Sequence, residues 1–192
     1  MLQKNPSVCV FCGSRNGADP AYGRAARDLG QLIVRRGWRL VYGAGDVGMM
    51  GEVASATAQG GGDSLGVIPV HLLTRERESR DISRLVITEN MHERKKVMFM
   101  NADAIITLPG GAGSLDELFE VLTWRQLGLH EKPVFLLNVN GYWDPLLRLI
   151  DHMIAQGFVG REFLDYFTTP ASVAELEPLL ATALEARHPA SE

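Results

Sequence analysis

The sequence has few of the features that mark membrane-bound, secreted or nucleic-acid-binding proteins. No apolar run approaches the roughly 18 residues that span a membrane, and the N-terminus does not have the basic and then apolar pattern of a signal peptide. Nineteen Lys and Arg residues against 23 Asp and Glu give a net charge of −4, which does not favour a nucleic-acid partner. We therefore predict a soluble cytoplasmic protein with no nucleic-acid or membrane partner.

The chain also has no long linker, internal repeat or low-complexity tract. Its 192 residues suit one well-buried α/β domain and are short for two. We predict a single domain over residues 1–192, with a disordered tail at 189–192. No cluster of His, Asp and Glu has metal-ligand spacing, so we expect no metal site. No Ser or Cys stands in a nucleophile elbow.

Cysteine is scarce, and the two cysteines, Cys9 and Cys12, form a C-x-x-C motif with redox and zinc-binding alternatives. Residues 7–12 have the pattern of a buried strand, in which residues three apart point to opposite faces. Redox pairs open a helix, and zinc needs further ligands. The pattern favours two buried core thiols.

What the sequence does contain is a regular alternation of strand and helix patterns. Apolar runs predict strands at residues 7–12, 38–42, 63–68, 85–88, 103–108 and 132–137. Helical spacing and stop signals predict intervening helices that end near residues 36, 59, 100, 127, 153 and 187. The predicted N-caps are Asp19, Asn90, Asp144 and Ser172. This alternation is typical of an α/β protein with a Rossmann-like, doubly wound parallel sheet.

A glycine-rich turn, Pro109–Glu117, joins the fifth predicted strand to a helical pattern. Ligands bind at strand carboxyl ends in such sheets, and a helix N-terminus attracts anions. No Gly-Lys-Ser/Thr follows, so a monophosphate fits better than a triphosphate. Its donors would be Gly110, Gly111, Gly113 and Ser114. Ser114 and Glu117 also match a capping box, so spacing alone leaves Glu117 open between helix cap and catalytic carboxylate.

A second candidate lies in the helix that Asn90 and Glu93 cap. Arg94 and Lys95 stand in its first turns, where two cations oppose the helix macrodipole. Helix stability does not explain them, whereas a nearby anion would. The alternative is that both are surface cations with extended side chains.

A competing motif, Gly43-Ala-Gly-Asp-Val-Gly48, is a G-x-G-x-x-G between a strand and a helix. A dinucleotide site would need an acidic residue at the end of the next strand, whereas Asp63 stands at the start of that strand. The glycines then serve a tight turn and close packing, and a nicotinamide or flavin site is the less favoured alternative.

Two motifs together, Pro109-Gly-Gly-x-Gly113-Ser-x-x-Glu117 and Met91-His-Glu-Arg-Lys95, resemble the paired signature of the Lonely Guy family of cytokinin riboside 5′-monophosphate phosphoribohydrolases. The resemblance extends over most of the domain, through segments 9–14, 42–45, 48–51, 123–126 and 140–144. It implies a Rossmann-like homodimer that cleaves the N-glycosidic bond of an adenosine 5′-monophosphate, often N6-substituted, to free base and ribose 5-phosphate.

The same resemblance implies roles for individual residues, without a cofactor. Arg94 and Glu117 would be catalytic, and the substrate would be bound by Gly13, Ser14, Met91, Lys95, Gly110, Gly111, Gly113 and Ser114. Ser114 replaces a usual threonine but keeps the hydroxyl, and Ala44 replaces a common glycine. Family members have also been called lysine decarboxylases, but no pyridoxal-phosphate constellation is evident. A nucleotide-like cofactor carrier, such as relatives that bind molybdenum cofactor, is the alternative.

Overall fold

The computed structural model describes residues 5–73 and 82–187; the tail predicted at 189–192 lies outside them. Within these ranges, six parallel strands form one sheet, and helices connect them. The strands are β1 Ser7–Phe11, β2 Arg39–Tyr42, β3 Ser64–Pro69, β4 Arg84–Thr88, β5 Ala104–Thr107 and β6 Val134–Leu136. The helices are α1 Pro20–Arg35, α2 Gly48–Gln59, α3 Met91–Met100, α4 Ala112–Gln126, α5 Asp144–Ala155 and α6 Val173–Arg187. The predicted α/β class is confirmed.

The strands lie in the order β4-β3-β2-β1-β5-β6, and every neighbouring pair is parallel. The chain first winds outward from β1 to β4 and then returns to place β5 on the other side of β1. This reversal makes the sheet doubly wound, as predicted. It also opens a crevice beyond the carboxyl ends of β1 and β5, where such sheets bind ligands.

Apolar side chains cover both faces of the sheet, which explains why its central strands are continuous hydrophobic runs. One face packs against α1, α2 and α6, and the other against α3, α4 and α5. Cys12 belongs to the first core and Cys9 to the second, and both are free and buried. The prediction of two core thiols on opposite faces is confirmed.

Helix starts follow the predicted caps with one exception. Asp19 accepts a hydrogen bond from the Ala21 N–H, and Asn90 accepts one from the Glu93 N–H. At α5 the predicted cap, Asp144, lies inside the helix, and its carboxylate accepts from Asn138 instead. In the described ranges, no helix is long and apolar enough to cross a membrane.

Candidate active site

A cavity of about 630 Å³ lies at the point where the strand order reverses. The loops after β1, β2 and β5 line it, together with residues of α1, α2, α3, α4 and the segment before α5. The predicted site residues that face it are Gly13, Ser14, Met91, Arg94, Gly110, Gly111, Gly113, Ser114 and Glu117. Lys95 is not part of its wall. The fold therefore brings two motifs that are distant in sequence to one cavity.

The glycine-rich turn delivers the start of α4 to this cavity. Gly111 is the N-cap, and it has no side chain that could accept a hydrogen bond from the first turn. The first backbone hydrogen bond there runs from the Leu115 N–H to the Gly111 carbonyl, at 3.1 Å. The N–H groups of Ala112, Gly113 and Ser114 thus have no acceptor within the helix. Together with the positive end of the helix dipole, they form a site for a small anion.

The position of Ser114 decides the capping question that spacing left open. Ser114 is the third residue of α4, not its N-cap, so the capping box with Glu117 is wrong. The residue is only 4% exposed, and its hydroxyl lies against Gly110 in the cavity wall. Glu117 makes no hydrogen bond or ion pair to another described residue and lines the same cavity. Glu117 is therefore free to act on a ligand.

The surroundings of Glu117 favour its protonated form. The side chain keeps partial contact with the cavity, but protein atoms displace most of the water around the carboxylate, and this burial raises its pKa from 4.5 to about 7. The Arg94 charge opposes the shift, Asp116 adds to it, and Lys95 opposes it again. Near neutral pH, Glu117 can therefore exist with or without its proton, as an acid–base group requires.

Arg94 is buried, with 6% of its surface exposed. Its Nε donates to the Val67 carbonyl at 3.0 Å, and one terminal nitrogen donates to the Gly43 carbonyl at 2.8 Å. These acceptors lie at and just beyond the carboxyl ends of β3 and β2. Two fixed carbonyls hold the guanidinium in one orientation against the cavity, which explains the presence of Arg94 where helix electrostatics disfavours a cation.

The glycines of the competing motif have structural reasons. A Cβ on Gly43 would collide with the terminal nitrogen of Arg94, and Gly48 has a φ of 62°. Both positions therefore require glycine. Asp63 precedes β3 at the amino edge of the sheet, opposite the cavity. It cannot contact a ligand bound at the carboxyl edge, so the dinucleotide alternative loses its acidic residue.

Several cavity residues were not predicted. The Tyr142 hydroxyl donates to the Gly110 carbonyl at 2.7 Å, and its ring packs edge-on against Tyr22, with centroids 5.3 Å apart. The apolar part of the wall includes Met49, Met50 and Met98, beside the predicted Met91. Methionines at helical spacing are usual in a core, and Tyr142 is distant in sequence from both motifs. The signal for Tyr142 was its place in segment 140–144, and that for Met49 and Met50 was segment 48–51, both of which share the family resemblance.

The cavity wall also limits which cofactors fit. Among the described residues of the wall there is no lysine, so none can form a Schiff base with pyridoxal phosphate. In the described ranges, no three His, Cys, Asp or Glu side chains are grouped to hold a metal ion. Burial raises the pKa of the Cys12 thiol well above its ordinary value, which disfavours the thiolate form.

Comparison with known proteins agrees with this geometry. Residues 50–179 match a family model described as possible lysine decarboxylase. The chain is 47% identical, over 88% of its length and 76% of the relative's, to the probable cytokinin riboside 5′-monophosphate phosphoribohydrolase LOGL1 of Oryza sativa subsp. japonica. It is 51% identical, over 79% of its length and 70% of the relative's, to the cytokinin riboside 5′-monophosphate phosphoribohydrolase LOG7 of Arabidopsis thaliana.

A similar fold occurs in the molybdenum cofactor carrier protein of Chlamydomonas reinhardtii, with a TM-score of 0.72 over 94% of this chain and 99% of that one. The two sequences are 19% identical, so this likeness concerns the fold alone. The two plant relatives are much more similar in sequence, and their names agree with the resemblance carried by the two motifs. The chain therefore belongs to the Lonely Guy family of cytokinin riboside 5′-monophosphate phosphoribohydrolases, whose family model carries the description possible lysine decarboxylase.

Proposed function

We propose that this protein hydrolyses the N-glycosidic bond of adenosine 5′-monophosphate or an N6-substituted derivative and releases the free base and ribose 5-phosphate. The observation that carries this proposal is that Arg94, Glu117 and the open N-terminus of α4 meet in one cavity. The enzyme name of the two plant relatives, at 47% and 51% identity, supports the same reaction.

The 5′-phosphate binds at the start of α4 in this proposal. The N–H groups of Gly111, Ala112, Gly113 and Ser114 and the Ser114 hydroxyl supply donors, and the helix dipole adds a positive potential. Gly13 supports this end of the cavity because its N–H donates to the Pro109 carbonyl at 3.1 Å and thereby joins the β1 loop to the glycine-rich turn. The loop joined in this way also carries Ser14.

The base occupies the apolar part of the cavity. Met49, Met50, Met91 and Met98 offer flexible, polarisable side chains that pack well against an aromatic ring. Arg94 lines the same cavity, and in this proposal it contacts the ribose, which lies between the phosphate and the base. The cavity volume of about 630 Å³ is ample for a nucleoside monophosphate.

In the chemical step, the bond between the anomeric carbon and the base nitrogen breaks, and its electron pair leaves with the base. Positive charge develops on the sugar, and a water oxygen forms the new bond to the anomeric carbon. The Glu117 carboxylate stabilises that charge and accepts a proton from the water, consistent with its pKa of about 7. The base nitrogen takes up a proton as it leaves, and release of the Glu117 proton to solvent regenerates the carboxylate. Arg94 holds the ribose in place through the terminal nitrogens that its backbone contacts orient.

The carrier alternative has weaker support. The molybdenum cofactor carrier protein resembles this chain at 19% identity, in fold only, whereas relatives of about half identity carry an enzyme name. A lysine decarboxylase activity is not supported either, because the described cavity wall lacks a lysine.

We further propose a homodimer in the cytoplasm. Met100 ends α3, and Leu127 and Leu129 follow α4, and all three are about two-thirds exposed. The Phe99 and Trp124 rings, with centroids 4.9 Å apart, hold these helix ends together. Exposed apolar side chains at the ends of two helices suit burial against a second copy. Light scattering should give twice the chain mass, and Leu127→Glu with Leu129→Glu should return the mass of one chain.

Glu117→Gln tests the catalytic proposal. Incubation with adenosine 5′-monophosphate and chromatography of the products should show turnover reduced by roughly a thousandfold, the range for loss of a catalytic acid–base group. Substrate binding, measured by calorimetry, should stay within about threefold because the phosphate donors are untouched. The matched control is Glu185→Gln on the exposed face of α6. Full activity of Glu117→Gln would remove its catalytic role.

A further inference from the structure

Lys95 follows Arg94 in α3 but contacts a different part of the molecule. Its Nζ lies 2.9 Å from Asp116 Oδ2 and 3.1 Å from Glu120 Oε2, both on α4. Its side chain is only 7% exposed, whereas Asp116 is 60% exposed and Glu120 25%. Lys95 thus forms ion pairs with the neighbouring helix and does not line the cavity.

The two acidic partners flank Glu117. Asp116 and Glu120 are four residues apart and share one face of α4, while Glu117 is turned by about 100° from Asp116. On α3, Arg94 and Lys95 differ by a similar rotation. The two helices therefore have matching arrangements, in which Arg94 and Glu117 face the cavity and Lys95 and its two carboxylates face each other.

The ion pairs keep Lys95 charged despite its burial. Burial disfavours the ammonium, but the hydrogen bonds to Asp116 and Glu120 outweigh this effect and raise the pKa of Lys95 above its ordinary value. A buried cation with two anionic partners is costly to separate, since either side would be left with uncompensated charge. The ion pairs therefore favour one relative position of α3 and α4 at this point.

We propose that Lys95 is a positioning residue for Glu117: its ion pairs with Asp116 and Glu120 hold α4 at a fixed place against α3 and neutralise the two carboxylates beside the catalytic one. This inference rests on the proposed function, because it assigns Lys95 a role in that site. It differs from the prediction that Lys95 binds substrate, and the two make opposite kinetic predictions.

The charged and titratable groups around Glu117 fix the direction of the expected effect. Arg94 and Lys95 on α3 favour its ionised form, while Asp116 and Glu120 on α4 disfavour it. The thiols of Cys9 and Cys12 on the β1 side also sense the Glu117 charge. Loss of Lys95 removes a favourable charge and exposes two unfavourable ones, so both changes act in the same direction.

The first test measures the pH dependence of kcat/KM for ribose 5-phosphate release in Lys95→Met, with Lys96→Met as the matched control on the exposed side of α3. The acid limb should move up by about one pH unit in Lys95→Met, with KM changed by less than about threefold. Lys95→Arg should restore the limb, and Lys96→Met should match the wild type. A tenfold or larger rise in KM with an unmoved limb would instead make Lys95 a substrate ligand and overturn the proposal.

A second variant covers the case in which Lys95→Met does not fold. Asp116→Asn combined with Glu120→Gln leaves Lys95 in place and removes the two carboxylates. The acid limb should then move down by about one pH unit, opposite to the shift in Lys95→Met. A merely structural role would lower activity at every pH without moving the limb, and that outcome would contradict the inference.

The same shifts can be measured without turnover. The free energy of unfolding is measured against pH for the protein with Glu117 and for Glu117→Gln, and their difference reports the titration of Glu117. The comparison is made once in the wild-type background and once in the Lys95→Met background. If the wild type releases no ribose 5-phosphate, the proposed function fails. An unmoved titration of Glu117 in the Lys95→Met background would separately remove the role of Lys95.

Discussion

The free energy of unfolding of Glu117→Gln, minus that of the wild type, should increase as the pH rises. The carboxyl pKa is raised from 4.5 to about 7 by burial. The folded protein therefore keeps a proton that the unfolded chain releases between these values. Wild-type stability falls as pH rises from about 4.5 to about 7, whereas glutamine, which cannot ionise, avoids this loss.

The size of this effect follows from the pKa shift. Each pH unit between the two pKa values corresponds to roughly 1.4 kcal/mol, so the full cost of the buried carboxylate is about 3.5 kcal/mol above pH 8. Part of that cost is already present at pH 5, and the change between pH 5 and pH 8 is about 2.5 kcal/mol. Glutamine also alters packing and hydrogen bonding, but those contributions are the same at both pH values and cancel in the comparison.

Equilibrium urea unfolding at pH 5 and pH 8, at one protein concentration, measures this difference. The free energy of unfolding of Glu117→Gln minus that of the wild type should be about 2.5 kcal/mol larger at pH 8. Glu185→Gln, on the exposed face of α6, serves as the control for a generic loss of charge. An equal difference at both pH values would refute the reasoning. A decrease toward pH 8 would mean that Arg94 outweighs burial.

Substitutions at three further positions test the cavity. Gly43→Ala places a Cβ against the terminal nitrogen of Arg94, so kcat/KM should fall at least about a hundredfold while a shift in melting temperature reports the displaced side chain. Ser114→Ala should weaken binding of ribose 5-phosphate about tenfold by calorimetry, and Ser114→Thr should not, since it keeps the hydroxyl. Tyr142→Phe loses the 2.7 Å bond to the Gly110 carbonyl and should cost about 1 kcal/mol of stability in urea unfolding, with an unchanged acid limb. A variant that does not show its expected loss would contradict the contact assigned to that residue.

Much of the fold could be predicted because local patterns agree with the tertiary structure. Helix ends at residues 59, 100 and 187 are confirmed, and the caps at Asp19 and Asn90 have the expected hydrogen bonds. The one misplaced cap, Asp144, accepts a hydrogen bond from the side chain of Asn138, a residue that precedes the helix. Such a competing partner is invisible to a rule that considers only the residues following the cap.

The site was harder to predict because one spacing can serve two purposes. Ser114 and Glu117 fit a capping box as well as a binding loop, and only the actual start of α4 at Ala112 separates the two. Lys95 was grouped with Arg94 by sequence adjacency, yet adjacent helical residues point about 100° apart. Its partners belong to α4, whose position depends on the packing of the sheet.

The sequence by itself determined the α/β class, the buried strands, the glycine-rich turn and the two motifs, because hydrophobic period and turn chemistry are local properties. Tertiary structure alone decided that β5 lies beside β1, which brings Gly13 against the turn at Gly110 and creates the cavity. It also decided that Glu117 is a raised-pKa carboxyl and not a cap. Burial and charge at that position come from residues far apart in the chain, and no local pattern records which of them meet.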